Sequence, residues 1–151
     1  MTEITIEDAH IHLLGELYEI EKQCFQEEAF SKPQIGYLLE EYNAVSLIAR
    51  VNNEIAGFII GRIDLIRNKP VGHIMTIDVA QKYRRMGIAQ KLMLETESIF
   101  NQKGAEECQL EVRESNFAAL SLYLKLGYEK VSLLENYYGK AHGLYLRKAP
   151  L

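Results

Sequence analysis

The stretch KYRRMGIAQKL (residues 82–92) places two arginines and a glycine just before a pattern typical of a helix. The N-terminus of a helix carries unpaired N–H groups and a partial positive charge, so acidic residues usually stabilise it. Here Gly87 leaves room beside the backbone, and Arg84 and Arg85 add positive charges that can reach oxyanions. The spacing therefore indicates binding of an anion such as a pyrophosphate; a plain capped helix is the alternative.

Two common phosphate-binding motifs do not match this stretch. It has no Gly-x-x-x-x-Gly-Lys run, and its one glycine falls short of the three in the dinucleotide fingerprint. The anion site predicted here is therefore of another kind.

The charge of the chain is distributed unevenly. The 151 residues have a net charge of −4, which argues against nucleic acid as a partner. Residues 1–41 hold ten acidic and two basic side chains, a local balance of 2 − 10 = −8. This acidic segment is either a solvated helix face or a surface that attracts a cationic substrate.

Other features of the sequence favour a cytoplasmic protein without a metal. No apolar run approaches the roughly 18 residues needed to cross a membrane, and the start MTEITIEDAH lacks the apolar region of a signal peptide. Cys24 and Cys108 lack metal-ligand spacing, so we expect two reduced thiols.

Short apolar strands alternate with helices along the chain, in the order β-α-α-β-β-β-α-β-α-β-β. The segment 71–112 reads as strand–helix–strand, which favours parallel pairing of its two strands. We expect one mixed α/β domain over residues 1–151. The predicted strands are 3–6, 44–51, 55–66, 71–79, 107–112, 128–134 and 142–149; the predicted helices are 8–25, 32–42, one from the Gly87 stretch to about residue 102, and 115–127.

Four blocks of the sequence resemble one enzyme superfamily. RRMGIA (84–89) fits the Arg/Gln-x-x-Gly-x-Gly/Ala signature of the GNAT acetyltransferases. LEVRESNFAALSLYLKLGYEKV (110–131), GHIMTIDV (72–79) and ENYYG (135–139) resemble the RimI-like and archaeal protein N-terminal acetyltransferases. The resemblance implies a GNAT fold, with a mostly antiparallel sheet, splayed central strands and flanking helices. It also implies acetyl-CoA as donor, CoA as product, and protein or peptide N-termini as acceptors.

The resemblance also implies a set of cofactor-binding residues. Asp78 departs from the pattern, since relatives often have a small residue there, and Asn116 is also a plausible plain N-cap. The implied residues are Ile77, Asp78, Val79, Arg84, Arg85, Met86, Gly87, Ile88, Ala89, Gln90, Asn116 and Tyr123.

By the same resemblance, three residues carry the chemistry. Glu111 and His73 are alternative or cooperating bases, and Tyr123 is the acid for the thiolate. A free α-amino group has a pKa of about 7.7–8.0 and a lysine amine about 10.4, so the base has an easier task with an N-terminus. The expected acceptor-binding residues are Phe25, Glu27, Phe30, Met75, Tyr137 and Tyr138.

Two other functions remain open from the sequence. One is acetylation of a lysine side chain or a small amine, and the other is a catalytically silent acyl-CoA-binding module. The sequence leaves open a ribosome or auxiliary-subunit association, and a monomer or weak dimer.

Overall fold

The computed structural model describes residues 2–25 and 27–151. Within them, seven strands form one sheet in the order β1-β2-β3-β4-β5-β7-β6, flanked by four α-helices. The strands are β1 Ile4–Asp8, β2 Ala44–Val51, β3 Glu54–Ile66, β4 Lys69–Val79, β5 Cys108–Arg113, β6 Glu129–Tyr138 and β7 Ala141–Lys148; the helices are α1 Leu14–Cys24, α2 Lys32–Glu40, α3 Ile88–Gln102 and α4 Phe117–Lys125.

The predicted order of strands and helices is confirmed, and the ends of several elements differ. The first strand continues to Asp8, which pairs with Leu47, so α1 begins at Leu14 after a short 3-10 turn. The strand β6 continues to Tyr138, and a tight turn leads into β7 at Ala141. The segment ENYYG therefore belongs largely to a β-hairpin, where backbone pairing with β7 extends the strand past the apolar run seen in the sequence.

Local sequence signals account for several boundaries. Asn52 and Asn53 take positive φ in the β2–β3 turn, as predicted from the tolerance of asparagine for this conformation. Ser31 caps α2: its hydroxyl accepts from the Gln34 N–H, and the Gln34 side chain accepts from the Ser31 N–H. Gly104, at φ 95°, follows the end of α3 as predicted.

The sheet is antiparallel except between β4 and β5. These two strands run parallel, and only Gly72–Ile74 pair with Cys108–Leu110. Beyond these three pairs the strands diverge, so the predicted parallel unit and splay are both confirmed.

A bulge in β4 lies at the start of this divergence. Thr76 pairs with Ile60 of β3 and Ile74 pairs with Gly61, which leaves Met75 as an extra residue. An extra residue reverses the alternation of side chains between the two faces of a strand. Consequently Ile77 packs on the same side as Ile74, while Thr76 faces α1.

Each face of the sheet is covered by an apolar layer. Leu92, Met93 and Phe100 of α3 pack on one face, and Leu17 and Ile20 of α1 pack on the other. Because β4 lies between both layers, its two faces contact different helices.

We expect Gly72→Ala to destabilise the fold. A Cβ at this position would lie 2.2 Å from Phe100 Cδ2, so the ring or the helix must move. Overpacking of this kind costs about 1–3 kcal/mol, measurable by urea unfolding. Gly15→Ala, at an exposed position of α1, is the control; no described atom lies within 4 Å of its added Cβ, and it should be neutral or stabilising. Equal stability of the two variants would contradict this packing.

Candidate active site

A cavity of about 400 Å³ opens where β4 and β5 diverge. The loop between α1 and α2, the start of α4 and the end of β6 supply the remaining walls. Nine residues predicted from the sequence line it: Phe25, Phe30, Met75, Ile77, Glu111, Asn116, Tyr123, Tyr137 and Tyr138. Eight further lining residues were not predicted: Glu21, Glu28, Ile74, Thr76, Leu110, Val112, Arg113 and Ala119.

Glu111 and His73 form a direct pair at the splay. Glu111 Oε1 lies 2.7 Å from His73 Nε2, and only Glu111 of the two lines the cavity. With a proton on Nε2, the imidazole donates to the carboxylate and fixes its orientation. The arrangement places Glu111 towards a bound molecule and His73 behind it.

A second carboxylate lies on the far side of the His73 ring. Asp64 Oδ2 is 3.7 Å from His73 Nδ1, and it also accepts from Arg62 Nε at 3.2 Å. The imidazole therefore lies between two carboxylates: it is hydrogen-bonded to Glu111, and its contact with Asp64 is longer than a hydrogen bond.

Three tyrosines surround the same space. Tyr123 projects from α4 and is almost fully buried, while Tyr137 and Tyr138 come from the end of β6. Burial raises the pKa of each phenol, with a further contribution from Glu111 at Tyr137 and Tyr138. All three are therefore protonated at neutral pH and can donate a hydrogen bond or a proton.

An ion pair joins two of the elements that line the cavity. Glu28, from the α1–α2 loop, accepts from Arg113 Nη1 at 3.0 and 3.2 Å. This pair ties the loop to β5 and neutralises the one cationic side chain among the described lining residues. Glu21 and Glu111 leave the cavity with acidic character, which suits a cationic acceptor.

Glu27 and Asp78 were predicted as site residues, and neither lines the cavity. Glu27 is exposed and does not line the cavity, whereas its neighbour Glu28 does. Asp78 is buried on the α1 side of β4, where the Thr76 hydroxyl lies 2.7 Å from its Oδ1 and 3.0 Å from Glu21 Oε1. The bulge at Met75 explains the position of Asp78, because it reverses the facing of the residues that follow.

The segment before α3 has the geometry of an anion cradle. Arg85 and Gly87 both take positive φ, at 65° and 79°, and Gly87 is the N-cap of α3. No side chain of residues 2–25 and 27–151 caps this helix, and no acidic residue lies in its first turn, so the N–H groups of that turn remain available. A Cβ on Gly87 would meet nothing within 4 Å, which leaves the space in front of these groups open. The cradle thus consists of a loop and the first turn of α3, which contain the predicted residues Arg85, Met86, Gly87, Ile88, Ala89 and Gln90.

Arg84 has a different set of contacts. Its Nε donates to the Val79 carbonyl at 3.3 Å, and its Nη2 lies 3.7 Å from Cys24 Sγ. The side chain therefore ties the cradle to the ends of β4 and α1. A phosphate contact from Arg84 remains a prediction, as do the pantetheine contacts assigned to Ile77 and Val79.

Asn116 is confirmed as an N-cap, and its contact with the cofactor remains a prediction. Its Oδ1 accepts from the Ala119 N–H at 3.2 Å, which makes it the N-cap of α4, and it also lines the cavity.

Several of the unpredicted lining residues lie directly beside predicted ones in the sequence. Thr76 and Val112 flank predicted residues on β4 and β5, and Glu28 lies next to Glu27. Glu21 gave no such signal, because its place on α1 reads as the polar side of an amphipathic helix.

Comparison with known proteins identifies the family. The model of the GNAT acetyltransferase family matches residues 14–128. This chain belongs to the GNAT acetyltransferase family. An N-alpha-acetyltransferase of Sulfurisphaera tokodaii is 38% identical over 125 residues, covering 75% of this chain and 73% of that protein. One of Saccharolobus solfataricus is 39% identical over 122 residues, with the same coverage.

Solved structures agree with this assignment. The Ard1 structure from Thermoplasma volcanium has a TM-score of 0.87 at 25% identity, covering 98% of both chains. The Escherichia coli ribosomal-protein-S18-alanine N-acetyltransferase has the same fold, with a TM-score of 0.88 at 22% identity over 98% of this chain and 94% of that one. The RimI-like and archaeal branch indicated by the sequence is confirmed.

Acetyl-CoA is the acetyl donor, and the residues present fit it. The open backbone turn at Gly87 suits a pyrophosphate, and the gap between β4 and β5 leaves strand edges free beside the cavity. Among the described residues, no helix is long and apolar enough to span a bilayer, and no group of metal-ligating side chains is present.

We expect Gly87→Glu to abolish acetyl-CoA binding. The new carboxylate would lie in the open space before the α3 N–H groups and repel a pyrophosphate. Affinity should fall by about a hundredfold or more, as measured by calorimetry, because binding at this turn is mainly electrostatic.

Gly139→Glu is the matched control. Gly139 also has positive φ, 72°, and open space around its Cβ, so the backbone strain and the added charge are similar. Gly139 lies in the β6–β7 turn. The affinity of the Gly139→Glu variant for acetyl-CoA should therefore stay near that of the unmodified protein. Binding by the Gly87 variant equal to that of the control would disprove the cradle.

Proposed function

We propose that this chain transfers the acetyl group of acetyl-CoA to the α-amino group of a protein or peptide N-terminus. The observation that carries the proposal is the Glu111–His73 pair at the point where β4 and β5 diverge. Its support from relatives is the identity of 38% and 39% with two archaeal N-alpha-acetyltransferases.

Acetyl-CoA supplies an activated acetyl thioester, so that a C–N bond forms while the C–S bond breaks. Glu111 accepts the proton of the incoming amine, since it is the member of the pair that lines the cavity. His73 donates from Nε2 to the carboxylate and holds it in place. Tyr123, a phenol kept protonated by burial, donates to the departing sulfur.

The pKa of the acceptor amine also favours an α-amino group over a lysine side chain. The α-amino pKa of about 7.7–8.0 leaves a tenth or more of the amine neutral at pH 7, whereas a lysine amine is neutral in about one part in 2,000. A single carboxylate base therefore suffices for an N-terminus. The acceptor wall is the part of the cavity lined by Phe25, Phe30, Tyr137 and Tyr138. It offers apolar surface and hydroxyl groups to a peptide backbone.

A peptide panel tests the acceptor. The purified protein, given acetyl-CoA and short peptides that vary in their first two residues, should acetylate free N-termini and leave internal lysines unmodified. Mass spectrometry locates each acetyl group, and N-terminally blocked peptides that contain lysine are the control. Release of CoA only with small amines or lysines would redirect the assignment, and the absence of CoA release with every acceptor would leave an acyl-CoA-binding module.

We expect Glu111→Gln to lower kcat by about 10²–10⁴-fold, the usual contribution of a general base. The acetyl-CoA dissociation constant should change little, because the cradle lies on another segment. Glu114→Gln, an exposed neighbour just past β5, should retain the kcat of the unmodified protein. If Glu111→Gln weakened acetyl-CoA binding as much as it lowered kcat, the assigned role of base would be wrong.

A further inference from the structure

Two buried carboxyl groups share one hydroxyl behind the acceptor wall. Glu21 on α1 and Asp78 on β4 are each 1% exposed, and Thr76 is 6% exposed between them. The Thr76 Oγ1 atom lies 3.0 Å from Glu21 Oε1 and 2.7 Å from Asp78 Oδ1. Both distances are those of hydrogen bonds, and none of the chemistry proposed above uses this cluster.

Counting hydrogens determines the charge of the cluster. A threonine hydroxyl has one hydrogen and can donate it to only one of the two carboxyl groups. The second short contact then requires a proton on the other carboxyl group, which donates to Thr76 Oγ1. Two ionised carboxylates around one hydroxyl would leave an O···O contact without a hydrogen.

The hydrogen-bond partners indicate which carboxyl group holds that proton. Glu21 Oε2 accepts from the Phe30 N–H at 2.9 Å, so both Glu21 oxygens have donors available. Asp78 Oδ2 is buried and has no hydrogen-bond partner among the described residues. A negative charge on Glu21 would be stabilised by hydrogen bonds, whereas one on Asp78 would be buried with an oxygen that accepts none. Asp78 is therefore the neutral acid.

A comparison within the protein supports this assignment. Glu97 is also buried, and its oxygens accept from Tyr128 and from the Lys148 ammonium group, each at 2.7 Å. Within the part of the chain that the structure describes, Asp78 has no directly bonded cation.

The charged and titratable groups around Asp78 come from three elements. Glu21 and Cys24 belong to α1, Arg84 to the segment before α3, and Tyr123 to α4. Burial, followed by the effect of Glu21, holds the pKa of Asp78 well above its usual range, against the Thr76 hydrogen bond and the Arg84 charge.

The direction of the chain of hydrogen bonds gives it a role. Asp78 O–H donates to Thr76, Thr76 O–H donates to Glu21, and Glu21 accepts the N–H of Phe30 in the α1–α2 loop. Phe30 and Glu21 both line the cavity, so the last bond of the chain lies in the acceptor wall. We propose that a proton held by Asp78 locks Glu21 as the positioning residue that anchors the acceptor-binding loop to β4. The inference deepens the proposed function and rests on it for the acceptor.

The first experiment measures the proton without any turnover. Because folded Asp78 stays protonated where unfolded Asp78 ionises, stability is fully present below about pH 4 and falls as the pH rises to the folded pKa. Over that window this residue should shift the urea-unfolding equilibrium by up to about tenfold per pH unit towards the unfolded chain.

Asp78→Asn should remove that component, because an amide donates to Thr76 as the protonated acid does and does not ionise. Asp8→Asn, at an exposed position on β1, is the control and should retain it. The NMR shift of the Phe30 amide should titrate with Asp78 in the unmodified protein and in Asp8→Asn, and be flat in Asp78→Asn. Equal pH dependence in all three proteins would overturn the inference.

The second experiment measures positioning through kinetics. With a peptide accepted by the enzyme, Glu21→Gln should raise the acceptor KM by about tenfold, the equivalent of one hydrogen bond to a charged group, with kcat and the acetyl-CoA KM little changed. Glu19→Gln, exposed on the same helix, is the control. The ratio of the acceptor KM of the unmodified protein to that of Asp78→Asn should rise as the pH passes the Asp78 pKa, since titration of the acceptor amine affects both proteins alike.

A loss in kcat or in acetyl-CoA KM instead of acceptor KM would overturn the positioning role. The stability and NMR measurements need no acceptor, so a failure of the proposed function and a failure of this inference give different results.

Discussion

The parallel pairing of β4 and β5 stops after three residues, and the other parts of the site depend on that limit. If the two strands stayed paired, backbone hydrogen bonds would close the space that the cavity now occupies. Parallel neighbours need a crossover, which α3 provides, and this crossover begins with the turn at Gly87. One interruption in the sheet therefore places an anion-binding turn, a cavity and a Glu–His pair next to one another.

Much of this arrangement follows from local sequence, because local forces decide it. The order of elements, the capped start of α2 and the open turn at Gly87 depend on residues close together in the chain. The extra length of β1 and β6 was not evident, since strand ends depend on pairing with distant partners. Neither was Glu21: its burial requires Thr76, 55 residues away, and no periodicity encodes that contact.

The protein handles positive and negative charge in opposite ways. At the start of α3 it leaves backbone N–H groups without an internal acceptor, which an external anion can satisfy. Around the cavity it keeps carboxylates inside and gives them internal donors: His73 for Glu111, Arg113 for Glu28, and Phe30 for Glu21. The turn that would bind acetyl-CoA thus lacks an acceptor for its N–H groups until an anion binds. The carboxylates around the peptide-binding cavity already have their hydrogen-bond partners.

The extra residue at Met75 divides β4 into two segments with different phase. Before it, the positions that face α3 are even-numbered, as at Gly72 and Ile74; after it they are odd-numbered, as at Ile77. In the second segment, alternate residues therefore face α1 and α3, and the two sets of side chains pack against different helices. Substitution can retune the set that faces α1, where Asp78 stands, without repacking the set against α3. Asp78 therefore acts on the α1 side of β4, while the packing of Ile77 against α3 is left unchanged.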